Sequence, residues 1–169
     1  MAESQALFTA HRDSLVRYLA DVVGHVETAR DLVQDVFVRV VAADSLPPTD
    51  DARRAWVFRI ARNVAIDHHR RQQHRRAEPI AVEPTAGTSD SADTVVIVRQ
   101  ALAALDEVSR DVFLMREAAG LSYIEIASAC QMTPDAVRSR IHRARLQLRE
   151  YLEQPIRAAS TRQLRAGLR

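Results

Sequence analysis

The sequence predicts an all-α fold of two small helical domains joined by a flexible linker, spread over 169 residues. Three observations carry this expectation. Apolar residues recur every three or four positions along most of the chain, the pattern of a helix with one buried face. Strand signals are nearly absent: Val95-Val96-Ile97-Val98 is the one β-branched run, and its flanks are helical in pattern. The stretch 77–93, AEPIAVEPTAGTSDSAD, holds two Pro and a Gly among Ser, Thr and Asp, lacks apolar periodicity, and divides the chain.

The first domain, 1–76, is expected to contain three helices. Phe8, Leu15, Leu19 and Val22, with Tyr18 beside them, define a helix over about 4–24 that stops at Gly24. Ala29, Leu32, Val33, Val36, Phe37, Val40 and Val41 form one wide apolar stripe over about 27–43, opposite Arg30, Asp31, Gln34, Asp35 and Arg39. The run Asp44-Ser45-Leu46-Pro47-Pro48-Thr49-Asp50 breaks this helix. A long helix follows over about 51–76. Trp56, Val57, Ile60, Ala61 and Val64 are its expected buried side, with Arg59, Arg62, Asn63, Asp67, Arg70 and Arg71 outward.

The second domain, 94–153, is expected to contain four helices, the last two a helix-turn-helix. Val95, Val98, Leu102 and Leu105 mark the first of them. Val108, Val112 and Met115 mark the second, which ends near Gly120. Ser122 and Glu125 have the spacing of a capping box, and Ile124, Ala127 and Cys130 are the expected core side of the third. Cys130-Gln131-Met132-Thr133 is the turn, with Gln131 where a Gly commonly supplies the left-handed conformation. Thr133 is an N-cap and Pro134 the first helical residue of the fourth helix. Val137, Ile141, Ala144, Leu148 and Leu152 anchor that helix. The tail, 154–169, has four Arg and weak periodicity.

Composition narrows the function classes. The single cysteine, Cys130, allows neither an intrachain disulfide nor a zinc site built on cysteines. No apolar run approaches the ~20 residues of a membrane helix. The N-terminal MAESQALFTAHRDS lacks the basic and apolar regions of a secretory signal, so a cytoplasmic protein is expected. Net charge is only +2, yet all 24 basic residues are Arg and they are segregated. Residues 53–76 carry net +7 and 138–169 net +7, against −5 for 1–52 and −7 for 77–137. Two basic blocks in a near-neutral chain point to two places where a polyanion is held.

Both blocks coincide with helices. Between its anchors the last helix projects Asp135, Ala136, Arg138, Ser139, Arg140, His142 and Arg143, the layout of a recognition helix entering a major groove. Arginine there pairs bidentately with guanine or holds phosphate. In the 53–76 block, Arg is interleaved with Trp56, His68, His69 and His74, a combination suited to phosphates and unpaired bases, although Trp56 serves equally as core. Asp67-His68-His69 also spells the DHH string of a phosphoesterase family. Such metal sites sit at strand ends with further Asp/His clusters, and this string lies inside an Arg-rich helix with no such cluster. Neither catalysis nor a metal or other cofactor is expected.

The strings ARDLVQDVFVRV (29–40), AWVFRIARNVAIDHHRR (55–71) and LSYIEIASACQMTPDAVRSRIHRARLQLREYL (121–152), in this order, resemble the extracytoplasmic-function sigma factors of bacteria. The resemblance covers nearly all of 7–152. It implies a region-two-like domain, a linker in place of the intervening domain, and a region-four-like domain. It implies docking of 27–43 on the clamp helices of the largest catalytic subunit of core RNA polymerase, through Asp31, Leu32, Gln34, Asp35, Phe37 and Arg39. The family often has an acidic residue where Arg30 stands. A contact with the flap of the second polymerase subunit is implied too. Arg59, Arg62, Asn63, Asp67, His68, Arg70 and Arg71 match the region that recognises and melts the −10 element of promoter DNA. Arg138, Ser139, His142 and Arg143 match positions contacting the −35 element, with Arg140 and Arg145 placed on phosphate or core. An anti-sigma factor, often membrane-bound in this family, is the implied regulator. A stand-alone repressor would need a dimerisation helix, which the sequence lacks.

Overall fold

The computed structural model describes the backbone of residues 2–76 and 90–166 and the side chains of 3–74 and 95–153. The described residues form seven helices and no strand: α1 (Ala2–Val23), α2 (Val26–Val41), α3 (Asp50–Arg76), α4 (Asp90–Ala103), α5 (Glu107–Glu117), α6 (Tyr123–Cys130) and α7 (Pro134–Ala166). Residues 77–89, most of the expected linker, lie outside the described residues. The part of it at 90–93 is already helical. At the other end, the helical backbone of α7 runs on to Ala166, through the segment read as a tail.

In the first unit, α1 packs on α2 and α3. Gly24, at φ +84, ends α1 and reverses the chain, a conformation without penalty only for glycine. Leu15, Tyr18 and Leu19 meet Leu32, Val33, Val36 and Val40 of α2 and Val57, Phe58, Ala61 and Val64 of α3 in the interior. The predicted stripe of α2 is buried except for Val41. On α3 the outcome differs from expectation: Phe58 is fully buried, and Trp56 and Ile60 are only half-buried. The reason is that α3 is covered on a second side, by α6 of the other unit.

In the second unit, Asp106 caps α5 by accepting from the Ser109 amide at 3.0 Å. The predicted capping box of α6 is present: the Ser122 hydroxyl accepts from the Glu125 amide at 3.2 Å, and the Glu125 carboxylate accepts from the Ser122 amide at 2.6 Å. Two core expectations are corrected. Val95 and Val98 are exposed, and α4 is buried only at Ala101 near its C-terminus, with Leu105 buried in the turn that follows, because its principal neighbour is α7 alone. Ile124 is 73% exposed, while Ile126, Ala127 and Ala129 are buried and Cys130 is half-buried. Helix α6 is held between α7 and α3, and that double contact turns a different set of residues inward than one hairpin partner would.

The units are therefore not merely tethered. With α3 on α6 and α1 on α5, side chains of both contribute to one continuous apolar core.

Candidate nucleic-acid interface

Helix α7 is aimed by the turn before it. Gln131 adopts the left-handed conformation (φ 54, ψ 50) that the sequence position demands, at a cost of about 1 kcal/mol for a residue with a β-carbon. The Met132 amide then donates to the Ala127 carbonyl at 2.9 Å, closing the end of α6. Thr133 caps α7 by accepting from the Ala136 amide at 3.2 Å. Pro134 has no N–H to leave unpaired in the first turn. Val137, Ile141 and Ala144 are buried, which forces the positions between them outward.

That outward face carries Arg138, Ser139, His142 and Arg143, all exposed, as the sequence pattern predicts, and Arg145 is exposed one turn further on. Arg138 pairs with Asp135 at 2.8 Å and lies over the Tyr123 ring at 5.7 Å. Both partners of that ion pair are solvated, so it is worth at most about 1 kcal/mol and yields readily to a phosphate. Arg143 donates only to the Ser139 carbonyl of the preceding turn. The other two arginines are tied to α5. Arg140 donates to the Ser109 hydroxyl at 3.2 Å and lies 3.5 Å from the capping Asp106 carboxylate. Bonds from Ser109 hold that carboxyl below its ordinary range. Arg145 pairs with Glu117 at 2.6 Å. Arg140 and Arg145 thus tie the helix to α5, while Arg138, Ser139, His142 and Arg143 make no contact with another helix except that of Arg138 with the Tyr123 ring.

On α3, Asn63, Arg70 and Arg71 are exposed and Arg59 is partly so. Asp67 bridges to Arg39 of α2 at 3.3 Å, and Arg71 donates to the Asp67 carbonyl at 3.2 Å. His68 lines a shallow cleft with Asp35, Arg71 and Gln72. Arg62 departs from the expected outward placement. It turns inward and its Nε donates to Asp111 Oδ2 at 2.7 Å. Asp111, on α5, is 3% exposed, and the hydroxyl of the fully buried Tyr18 lies 3.5 Å from its other oxygen. Burial pushes the Asp111 carboxyl above the usual aspartate range, and the Arg62 guanidinium draws it back only in part. Sequence reasoning missed Asp111, although a signal was present. Position 111 falls in register with Val108, Val112 and Met115, and a lone acid on an apolar stripe needs a partner.

On α2, Asp31, Gln34, Asp35 and Arg39 are exposed, whereas Leu32 and Phe37 are buried. Of the six residues expected to dock, Leu32 and Phe37 thus lie with their side chains in the core. The Phe37 ring meets Phe8 edge-on at 4.0 Å. Val38 and Val41, which are 68% and 55% exposed, line an apolar groove of about 630 Å³ with Phe8, Gln34 and Phe37. Arg30 pairs with Glu27 one turn back, at 2.6 Å.

Comparison with known proteins accounts for both units. Residues 7–75 match the sigma-70 region 2 family, and residues 96–148 match a sigma-70 region 4 family. The RNA polymerase sigma factor YlaC of Bacillus subtilis is 29% identical over 85% of this chain and 88% of its own length. The ECF RNA polymerase sigma factor SigC of Mycobacterium tuberculosis is 32% identical over 77% of this chain and 71% of its own. The solved structure of the sigma factor RpoE with the anti-sigma factor NepR from Bartonella quintana superposes with a TM-score of 0.70 at 25% identity, covering 90% of this chain and 98% of that one.

Proposed function

Because this chain belongs to the extracytoplasmic-function RNA polymerase sigma factors, we propose that α7 reads the −35 promoter element while α3 engages the −10 element. A sigma factor is not an enzyme; it directs core polymerase to promoters. The observation that carries the assignment is the two-sidedness of α7. Its buried Val137, Ile141 and Ala144 fix the rotation of the helix, and that rotation delivers Arg138, Ser139, His142 and Arg143 together on the opposite face. A major groove admits one such helix, and guanidinium groups there discriminate guanine by bidentate hydrogen bonds.

For the −10 element the supporting residues are Arg59, Asn63, Asp67, His68, Arg70 and Arg71, with Arg62 joining them once it leaves Asp111. Core polymerase docks on the exposed Asp31, Gln34, Asp35 and Arg39 of α2, with the Val38–Val41 edge adding apolar contact. Work of this kind belongs in the cytoplasm. As with RpoE of Bartonella quintana, an anti-sigma factor is the expected regulator.

Run-off transcription with core polymerase and promoter DNA tests the assignment. Arg143→Ala should lower −35-dependent transcription about ten- to a hundredfold, the discrimination one bidentate contact supplies, and leave core-polymerase affinity unchanged. Loss of polymerase binding with −35 selectivity intact would refute it.

A further inference from the structure

We infer that the far half of α7 grips DNA phosphates flanking the −35 element, a sequence-independent hold made by Arg149 and by the arginines that follow Glu153. The inference rests on the reading of α7 given above and extends it from base edges to backbone.

Helix α7 is longer than base reading requires. Its 33 residues span about 50 Å at 1.5 Å per residue. The match to the sigma-70 region 4 family ends at residue 148, and the helical backbone continues past it to Ala166. Leu148 and Leu152 line an apolar cleft with Leu102 and Phe113, so the fold supports the helix that far. A major groove is about 12 Å wide and winds around the duplex. A straight rod of this length cannot follow it, and passes over the phosphates that border it.

The charge along α7 suits that path. Exposed Arg138, His142, Arg145 and Arg149 recur at intervals of four, three and four, which sets them along one side of the helix. Arg149 stands about 16 Å along the axis from Arg138, beyond the turns that read bases. Beyond Glu153 the sequence has Arg157, Arg162, Arg165 and Arg169 and no acidic residue. Glu150 and Glu153 stand between the two groups and repel phosphate there, so the grip has two parts. Pro155 follows at once. It has no N–H to donate to the Tyr151 carbonyl, and a helix bends most readily at such a point. The second part can thereby follow a backbone that curves away from the first. DNA is the partner these cations fit. The first turns of the same helix stand in its groove, and guanidinium groups pair with any phosphate, whatever the base.

Titration of the full chain with a duplex of about 30 base pairs and arbitrary sequence, repeated over a range of salt, tests the grip. The logarithm of the affinity should fall linearly with the logarithm of salt concentration. Arg157→Gln, Arg162→Gln and Arg165→Gln together should lower that slope by about 3 and the affinity at about 0.1 M salt at least ~10-fold. Arg149→Gln alone should lower the slope by about 1. In run-off transcription both variants should keep the native preference for an intact over a scrambled −35 element, since phosphates carry no sequence. Circular dichroism shows whether the triple variant keeps its helix; should it not, Arg149→Gln decides alone. No binding of the native chain at low salt, an unchanged slope in the folded variants, or loss of −35 preference would each overturn the grip. Weaker core-polymerase binding with an unchanged slope would assign the arginines to an acidic protein surface instead. The expected slopes without promoter-directed transcription would refute the sigma reading and leave the grip standing.

Discussion

Glu125 performs two tasks with one carboxylate, and substituting it separates them. Its Oε2 accepts from the Ser122 amide at 2.6 Å, closing the capping box, and its Oε1 lies 3.5 Å from Arg54 of the other unit. The side chain is only 7% exposed, so both interactions operate largely out of water. Glu125→Ala removes a hydrogen bond to a charged acceptor, worth about 1.5–3 kcal/mol, and strands the Ser122 amide. With the loss of the cross-unit pair, about 3 kcal/mol of stability should go. Glu125→Gln keeps the capping geometry, which glutamine also satisfies, and loses only the charge. It should cost about 1 kcal/mol. Ser122→Ala, which removes the other half of the box, should also cost about 1 kcal/mol. Urea unfolding followed by far-ultraviolet circular dichroism measures all three. A cycle that adds Arg54→Ala isolates the cross-unit coupling, expected at about 1 kcal/mol. Equal costs for Glu125→Ala and Glu125→Gln would show that the box contributes nothing, and additivity with Arg54→Ala would remove the cross-unit role.

Two further outcomes follow from burial. Ile141 is 1% exposed between α5 and α6, so Ile141→Ala should destabilise the second unit by about 2–5 kcal/mol and lower its melting temperature; an unchanged melt would contradict the core that orients α7. Burial pushes the Cys130 thiol up to about 11, so it is neutral at pH 7 and below, and its small thiolate fraction rises with pH. Native chain should therefore be alkylated by iodoacetamide at pH 8 at least ~100-fold more slowly than urea-unfolded chain, as read by mass spectrometry, and equal rates would refute the burial.

Each candidate interface residue of α7 had its position written locally. The Ser122–Glu125 box, the Thr133–Pro134 start and the Val137–Ile141–Ala144 spacing depend on neighbours within a few residues, so periodicity and capping rules suffice to place them, and with them Arg138, Ser139, His142 and Arg143. The buried stripe of α2 was legible for the same reason. Contacts between residues far apart in the chain leave no such trace. Ile124 was misplaced and Phe58 was left out of the expected core because α3 and α6 each have more than one neighbour, and periodicity reveals the width of an apolar face but not how many partners cover it. Arg62 looked like its exposed neighbours because an arginine's sequence context does not say whether a carboxylate 49 positions away will meet it. Only tertiary packing, which excludes water from around Asp111 and so compels it to find a cation, made that choice.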